Sequence, residues 1–242
     1  MTVIDWDKSD MLNYLGTYFP RSFTEAYCLF SDFLNIFKER YRQMSELSLL
    51  DFGSGTGGEI IGLLLALNEH FPNIKTVRIT PIDGNDHALR LFDKVIKETQ
   101  KHVNVELISK TSPVFIEDFY DLSTLNHVLK DKYDIILSFK AICEFVTKQQ
   151  FENRNAYEHI VDFLMPNLTD SGLLLLVDVT SFNGVSKEWL PKMLDKGLMN
   201  VKSCTIRKNE GYSQTFQVSH SQRVNDCSKI AWRLIVNSIQ IH

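Results

Sequence analysis

Several things this sequence lacks narrow its function before any motif is considered. It has no apolar run approaching the ~20 residues that a helix needs to cross a bilayer; the longest helical candidate is Ile60–Leu67. The opening residues Met-Thr-Val-Ile-Asp-Trp-Asp have neither the basic lead nor the apolar core of a secretory signal, which predicts a cytoplasmic protein with no membrane partner. Four cysteines, Cys28, Cys143, Cys204 and Cys227, form no C-x-x-C pair, and the histidines form no H-x-x-x-H or H-x-E cluster. Neither a disulfide framework nor a metal site is expected, and the thiols are read as reduced and buried. Glu144 beside Cys143 does not make that thiol a nucleophile with its base. Internal repeats, low-complexity tracts and flexible linkers are also missing.

Acidic residues are scarce near the C-terminus. The net charge is −4, yet from Lys196 to His242 seven Lys or Arg face two acids. A basic end can meet an acidic substrate or nucleic acid. These charges are dispersed, which suits a solvated hairpin surface better.

What the sequence does contain is organised around Leu49–Gly58, Leu-Leu-Asp-Phe-Gly-Ser-Gly-Thr-Gly-Gly, which joins the apolar segment Leu47–Leu50 to the run Glu59–Leu67. A buried strand that ends in glycines and opens a helix is the entry turn of a nucleotide-binding α/β domain. Glycines there allow backbone angles that a side chain forbids and let a ligand lie against the main chain. Gly53, Gly55 and Gly58 also fit the dinucleotide spacing G-x-G-x-x-G. Asp51 separates the two possibilities: a pyrophosphate on a helix N-terminus is repelled by a carboxylate, whereas a cationic ligand is attracted. A second carboxylate, Asp83, ends the predicted strand Thr76–Ile82 and opens Asp83-Gly84-Asn85-Asp86. An ionised acid at that strand tip can accept from adjacent ribose hydroxyls, while Asp86 is expected to cap the next helix.

The run Asp51-Phe52-Gly53-Ser54-Gly55-Thr56-Gly57, with Asp83 and the fourth-strand pattern Tyr133-Asp134-Ile135-Ile136-Leu137-Ser138, resembles the class I S-adenosylmethionine-dependent methyltransferases. The resemblance implies a three-layer Rossmann-like α/β fold with a mainly parallel seven-stranded sheet, a C-terminal antiparallel hairpin and an N-terminal helical cap. It implies S-adenosylmethionine as cofactor, held by Asp51, Gly53, Ser54, Gly55, Gly57, Asp83, Gly84 and Asn85, with Asp118, Ser138 and Phe139 completing the site. Glu144, in the loop after the fourth strand, is the candidate general base or substrate anchor. Tyr14, Tyr18 and Arg21 of the cap are candidate substrate contacts, and Arg21 can also meet the cofactor carboxylate. The loop lacks the Asn/Asp-Pro-Pro-Tyr/Phe signature of exocyclic-amine methylation on bases.

The remaining segments fill out that plan. Residues 1–46 are read as the cap, with helices over about Asp7–Tyr18 and Phe23–Gln43, the second opened by a Ser22-Phe-Thr-Glu25 capping box. Residues 47–242 are read as a single methyltransferase domain. A strand is expected over Asn104–Ser109, a helix over Asn155–Leu168, a turn at Asp170-Ser-Gly172, a buried strand over Leu173–Val179 and a helix over Ser186–Leu198. Asp178 and Thr180–Asn183 fall on the ligand-bearing edge. Val201–Arg207, Tyr212–Ser219 and Ile230–Ser238 read as three strands where the family core needs two, with a turn over Ser221–Ser228. The function expected is methyl transfer to a small-molecule or peptide acceptor. The alternatives are an RNA- or ribosome-associated methyltransferase and a non-catalytic binding protein of the same fold.

Overall fold

A computed structural model describes residues 8–145, 155–182, 189–199, 201, 204–208, 213–221 and 223–237. From the N-terminus come α1 (Lys8–Asn13), a π-helical turn (Tyr14–Tyr18), α2 (Phe19–Ile36), α3 (Lys38–Tyr41), β1 (Glu46–Phe52) and α4 (Gly58–His70). Then follow β2 (Thr76–Asp83), α5 (Asp86–Thr99), β3 (Glu106–Ser109) and β4 (Ser112–Pro113). A 3-10 turn (Ser123–His127) leads to β5 (Tyr133–Phe139), α6 (Ile142–Phe145) and α7 (Ala156–Leu164). The chain continues through β6 (Leu168–Val179), α8 (Leu190–Leu198), β7 (Cys204–Lys208), β8 (Gln214–His220) and β9 (Arg223–Asn237). Among the described residues, no helix is long and apolar enough to cross a membrane. Two compact units divide the chain, residues 2–113 with 215–228 and residues 114–214 with 229–242.

In the first unit β1, β2 and β3 run parallel, with Leu49 opposite Ile79 and Val77 opposite Leu107. β4 extends the edge so that Pro113 lies opposite Asp83. The amphipathic α2 buries Ala26, Leu29, Phe30, Phe33 and Leu34. It lies so close to α4 that a Cβ on Gly62 would stand 2.3 Å from the carbonyl oxygen of Phe23. The expected break before Phe23 is absent, because Tyr18 and Phe19 both have helical angles and the chain passes from the π-helical turn straight into α2. Pro20 sits in the first turn of α2, directly after the π-helical turn. Ser22 is therefore an interior residue and not a cap. At the far end of the sequence, β8 pairs with β9, and Asp226 of β9 forms a two-pronged ion pair with Arg21, at 2.7 and 2.8 Å.

In the second unit β5 and β6 are parallel, with Leu137 opposite Leu175, and β9 runs antiparallel to both β6 and β7. The expected turn at Asp170–Gly172 is absorbed into β6. The register slips between Tyr133 and Ile135 instead, and a Cβ on Gly172 would lie 2.6 Å from Leu168 Cγ and 3.0 Å from the Tyr133 carbonyl oxygen. A glycine is what lets the strands re-register at that point. The expected turn over Ser221–Ser228 is likewise mostly strand, since β9 begins at Arg223. β9 thus accounts for the surplus tail strand: β6 and β7 flank it, and β8 pairs with it as an addition. Seven strands, β1, β2, β3, β5, β6, β7 and β9, carry the two runs, parallel except around β9. That is the mainly parallel α/β pattern with an antiparallel end that the sequence predicts.

Candidate functional site

The glycine turn is built by its link to β2. The N–H groups of Gly53 and Ser54 both donate to the Ile82 carbonyl, at 2.8 and 3.1 Å, and Gly57 N donates to Ser54 O at 2.8 Å. Gly53, Gly55 and Gly57 have φ of 76°, 48° and 78°, left-handed angles that only glycine adopts cheaply. Gly57 is also the residue from which α4 starts, and a Cβ there would lie 2.4 Å from the Phe92 ring. Over Gly55 stands Tyr14, whose hydroxyl is 2.9 Å from where a Cβ would be.

This stitching brings Asp83 under the turn. Its carboxylate accepts from Gly55 N at 2.8 Å and from Asn85 N at 2.7 Å. Burial raises its pKa, and these backbone donors pull the other way. Each oxygen keeps acceptor capacity, and the residue is partly buried. The helix cap beside it is Asn85 and not Asp86: Asn85 is extended, at φ −100° and ψ 104°, and its side chain accepts from Ala88 N. Asp86 lies inside α5 and pairs with Arg90.

Asp51 is wholly buried, and among the described residues no hydrogen-bond donor reaches either of its oxygens. Burial, then the nearby Glu59 carboxyl, then Asp83 raise its pKa well above the carboxylate range. Ser54 Oγ and Thr56 Oγ1 are also buried without partners. Buried polar atoms in folded proteins are nearly always satisfied. A run of orphans on one glycine turn leaves several polar groups whose partners a polar ligand could supply.

Of the cap candidates, Tyr14 and the exposed Tyr18 pack ring to ring at 5.2 Å. Arg21 is committed to Asp226, which also accepts from His220 at 3.1 Å. Arg21 therefore closes the first unit rather than reaching freely for a ligand.

Asp118, Ser138, Phe139 and Glu144 belong to the second unit. Asp118 is exposed and accepts from Tyr120 N at 2.9 Å. Ser138 and Phe139 are buried at the end of β5, with Ser138 Oγ unpartnered, and Glu144 is exposed on α6. The turn between β5 and α6 holds Lys140 at φ 56°. Asp178 pins it: its carboxylate accepts from Tyr157 OH at 2.7 Å, Cys143 N at 3.2 Å and Val179 N at 2.9 Å. Burial and the Asp178 carboxylate raise the pKa of the Cys143 thiol, which disfavours the thiolate that a nucleophile needs. Asp178, a pocket candidate by its place on the strand edge, is thus engaged inside its own unit. Asn183 lies outside the described residues. Cys227 departs from the expectation of buried thiols, being exposed on β9.

Glu59 escaped the sequence reading, although a signal was present. It is the one acid in the first two turns of a helix whose Gly58, Ile60, Gly62, Leu63 and Leu64 are all buried, so its charge has to lie inside. A cavity of about 300 Å³ lined by Leu67, Phe71, Ile74 and Val105 lies by the start of β2, the end of that strand away from Asp83.

No family model matches the sequence, and no curated protein matches it either. Among solved structures, the chain is similar to the magnesium protoporphyrin IX methyltransferase of Synechocystis PCC 6803 with bound SAH: TM-score 0.50, 13% identity, 97% of this chain and 89% of that one. It is also similar to a SAM-dependent methyltransferase from Aquifex aeolicus, with TM-score 0.48, 12% identity and coverage of 96% and 100%. TehB from Haemophilus influenzae matches at TM-score 0.48 and 14% identity, over 84% of this chain; the chain spans 62% of TehB's length. The first of these shows the fold: the chain has the Rossmann-like α/β fold of the SAM-dependent methyltransferases.

Proposed function

We propose that the protein binds S-adenosylmethionine at the turn Asp51–Gly57 and transfers its methyl group to a small-molecule or peptide acceptor. The observation that carries this is the set of orphaned polar atoms on Asp51, Ser54 and Thr56, beside an Asp83 that retains acceptor capacity. Bound S-adenosylmethionine supplies a methyl on a sulfonium, open to in-line displacement by a nucleophile. The chain's own residues then have five tasks. Asp51 supplies the acid that an ammonium requires, and the left-handed glycines let the ligand lie against the main chain without side chains in the way. Asp83 accepts from the ribose hydroxyls, and Tyr14 covers the turn and limits water. We assign acceptor activation to Glu144, which is exposed on α6.

A nucleic-acid acceptor finds less support, because the basic C-terminal segment is partly used internally. Arg233 is fully buried with Nε 2.8 Å from Asp195, Lys208 lies 3.6 Å from the same carboxylate, and Arg223 lies 3.9 Å from Asp226.

Calorimetric titration with S-adenosylmethionine and with S-adenosylhomocysteine tests the proposal. Both are expected to bind the wild type, and Asp83→Ala, which removes two ribose acceptors, is expected to weaken both by at least about tenfold. Absence of binding to the wild type would end the proposal.

A further inference from the structure

Two neighbouring acids that are both out of water pose a problem that the turn does not solve by itself. Asp51 is 0% exposed and Glu59 4% exposed, and the Glu59 carboxyl interacts with that of Asp51. Among the described residues, no hydrogen-bond donor reaches either Asp51 oxygen. Asp83 adds a third acid from β2. α2, packed on α4, brings the buried Glu25 and also Arg21, whose guanidinium is taken by Asp226. Two carboxylates at this range cannot both be ionised in a dry site, and a shared proton is the ordinary resolution. Ser54 Oγ and Thr56 Oγ1, buried and unpartnered on the same turn, show that the cluster is built to receive a further polar group.

We propose that Asp51 and Glu59 share one proton in the cofactor-free protein, that Glu59 is the second acid of the cofactor's ammonium site, and that this proton is released to solvent when the ammonium binds. The inference rests on the reading of the turn as an S-adenosylmethionine site. The exchange balances in charge: one positive charge arrives as one leaves, and the pair becomes a dianion matched by the ammonium and by the N-terminal end of the α4 dipole. Proton release makes cofactor affinity rise with pH, by up to about tenfold per unit, until the pair is ionised without help.

The test is calorimetry near about pH 6.5, where a free α-amino group is protonated, in two buffers of different ionisation heat. S-adenosylmethionine and S-adenosylhomocysteine, which both carry the ammonium, are each expected to release close to one proton, and methylthioadenosine, which lacks it, close to none. Glu59→Gln is expected to bind more weakly and to release markedly less. The ligand comparison needs no variant and so survives a misfolded one. Binding whose heat is the same in both buffers overturns the inference and leaves the cofactor reading standing, as does equal proton release by methylthioadenosine. No binding by any of the three compounds overturns both.

Discussion

Two buried acids at strand ends, Asp51 near the end of β1 and Asp178 near the end of β6, meet opposite fates. Both are nearly inaccessible, at 0% and 2% exposure, and burial raises the pKa of each. Asp178 accepts three hydrogen bonds from its own unit, whereas Asp51 accepts none and faces another acid. Burial alone therefore does not mark a ligand site. What supports the proposed site is burial without satisfaction, because an acid left dry and unpartnered costs stability that a bound partner can offset. The satisfied acid is architecture: it fixes the turn that carries Lys140 at its left-handed angle.

That contrast can be broken by substitution. Asp178→Asn turns an acceptor into a donor facing donors, and it should lower stability by about 2–4 kcal/mol in chemical denaturation. Tyr157→Phe removes one of the three donors and should cost about 1–2 kcal/mol. Asp51→Asn, by contrast, removes a buried acid whose ionisation the dry site penalises, and it should leave stability near neutrality unchanged or higher while abolishing cofactor binding. A loss at Asp51 as large as the one at Asp178 would erase the distinction between the two sites.

The sharpest version of the comparison is in pH. An acid whose pKa is raised on folding holds its proton in the native state after the unfolded chain has lost it, so stability is greatest below the ordinary carboxylate range and declines as pH rises through the raised pKa. Thermal unfolding followed from pH about 5 to 8 should show this decline in the wild type, and a shallower one in Asp51→Asn. Asp226 has the opposite sign: the Arg21 guanidinium holds its carboxyl below the usual range, so its contribution is present above that range and lost as pH falls through it.

The glycine turn and Asp83 were legible in the sequence because their logic is local: a strand end, a backbone that demands glycine, and an acid at the next strand end. The same locality misled at Asp86. Asn85 and Asp86 are both capping residues by type, and only the extended backbone at Asn85 decides between them. Asp170-Ser-Gly172 carries turn residues, yet the pairing with β5 absorbs them as a change of register. Arg21 shows the limit of local reading. A free-looking arginine at a helix start is bound to an aspartate 205 residues later, and nothing near it in sequence announces the partner. Glu59 was hidden in a run read as apolar, and its meaning depends on Asp51 standing opposite.

The same long pairing bears on how the molecule is made. A ribosome delivers α2 and the glycine turn first, but Asp226, which seals the first unit, arrives only 205 residues after Arg21. The opening helix must wait with an unmatched guanidinium while 204 intervening residues emerge, and a transcript cut short before that point would yield a nucleotide-type turn without its closure.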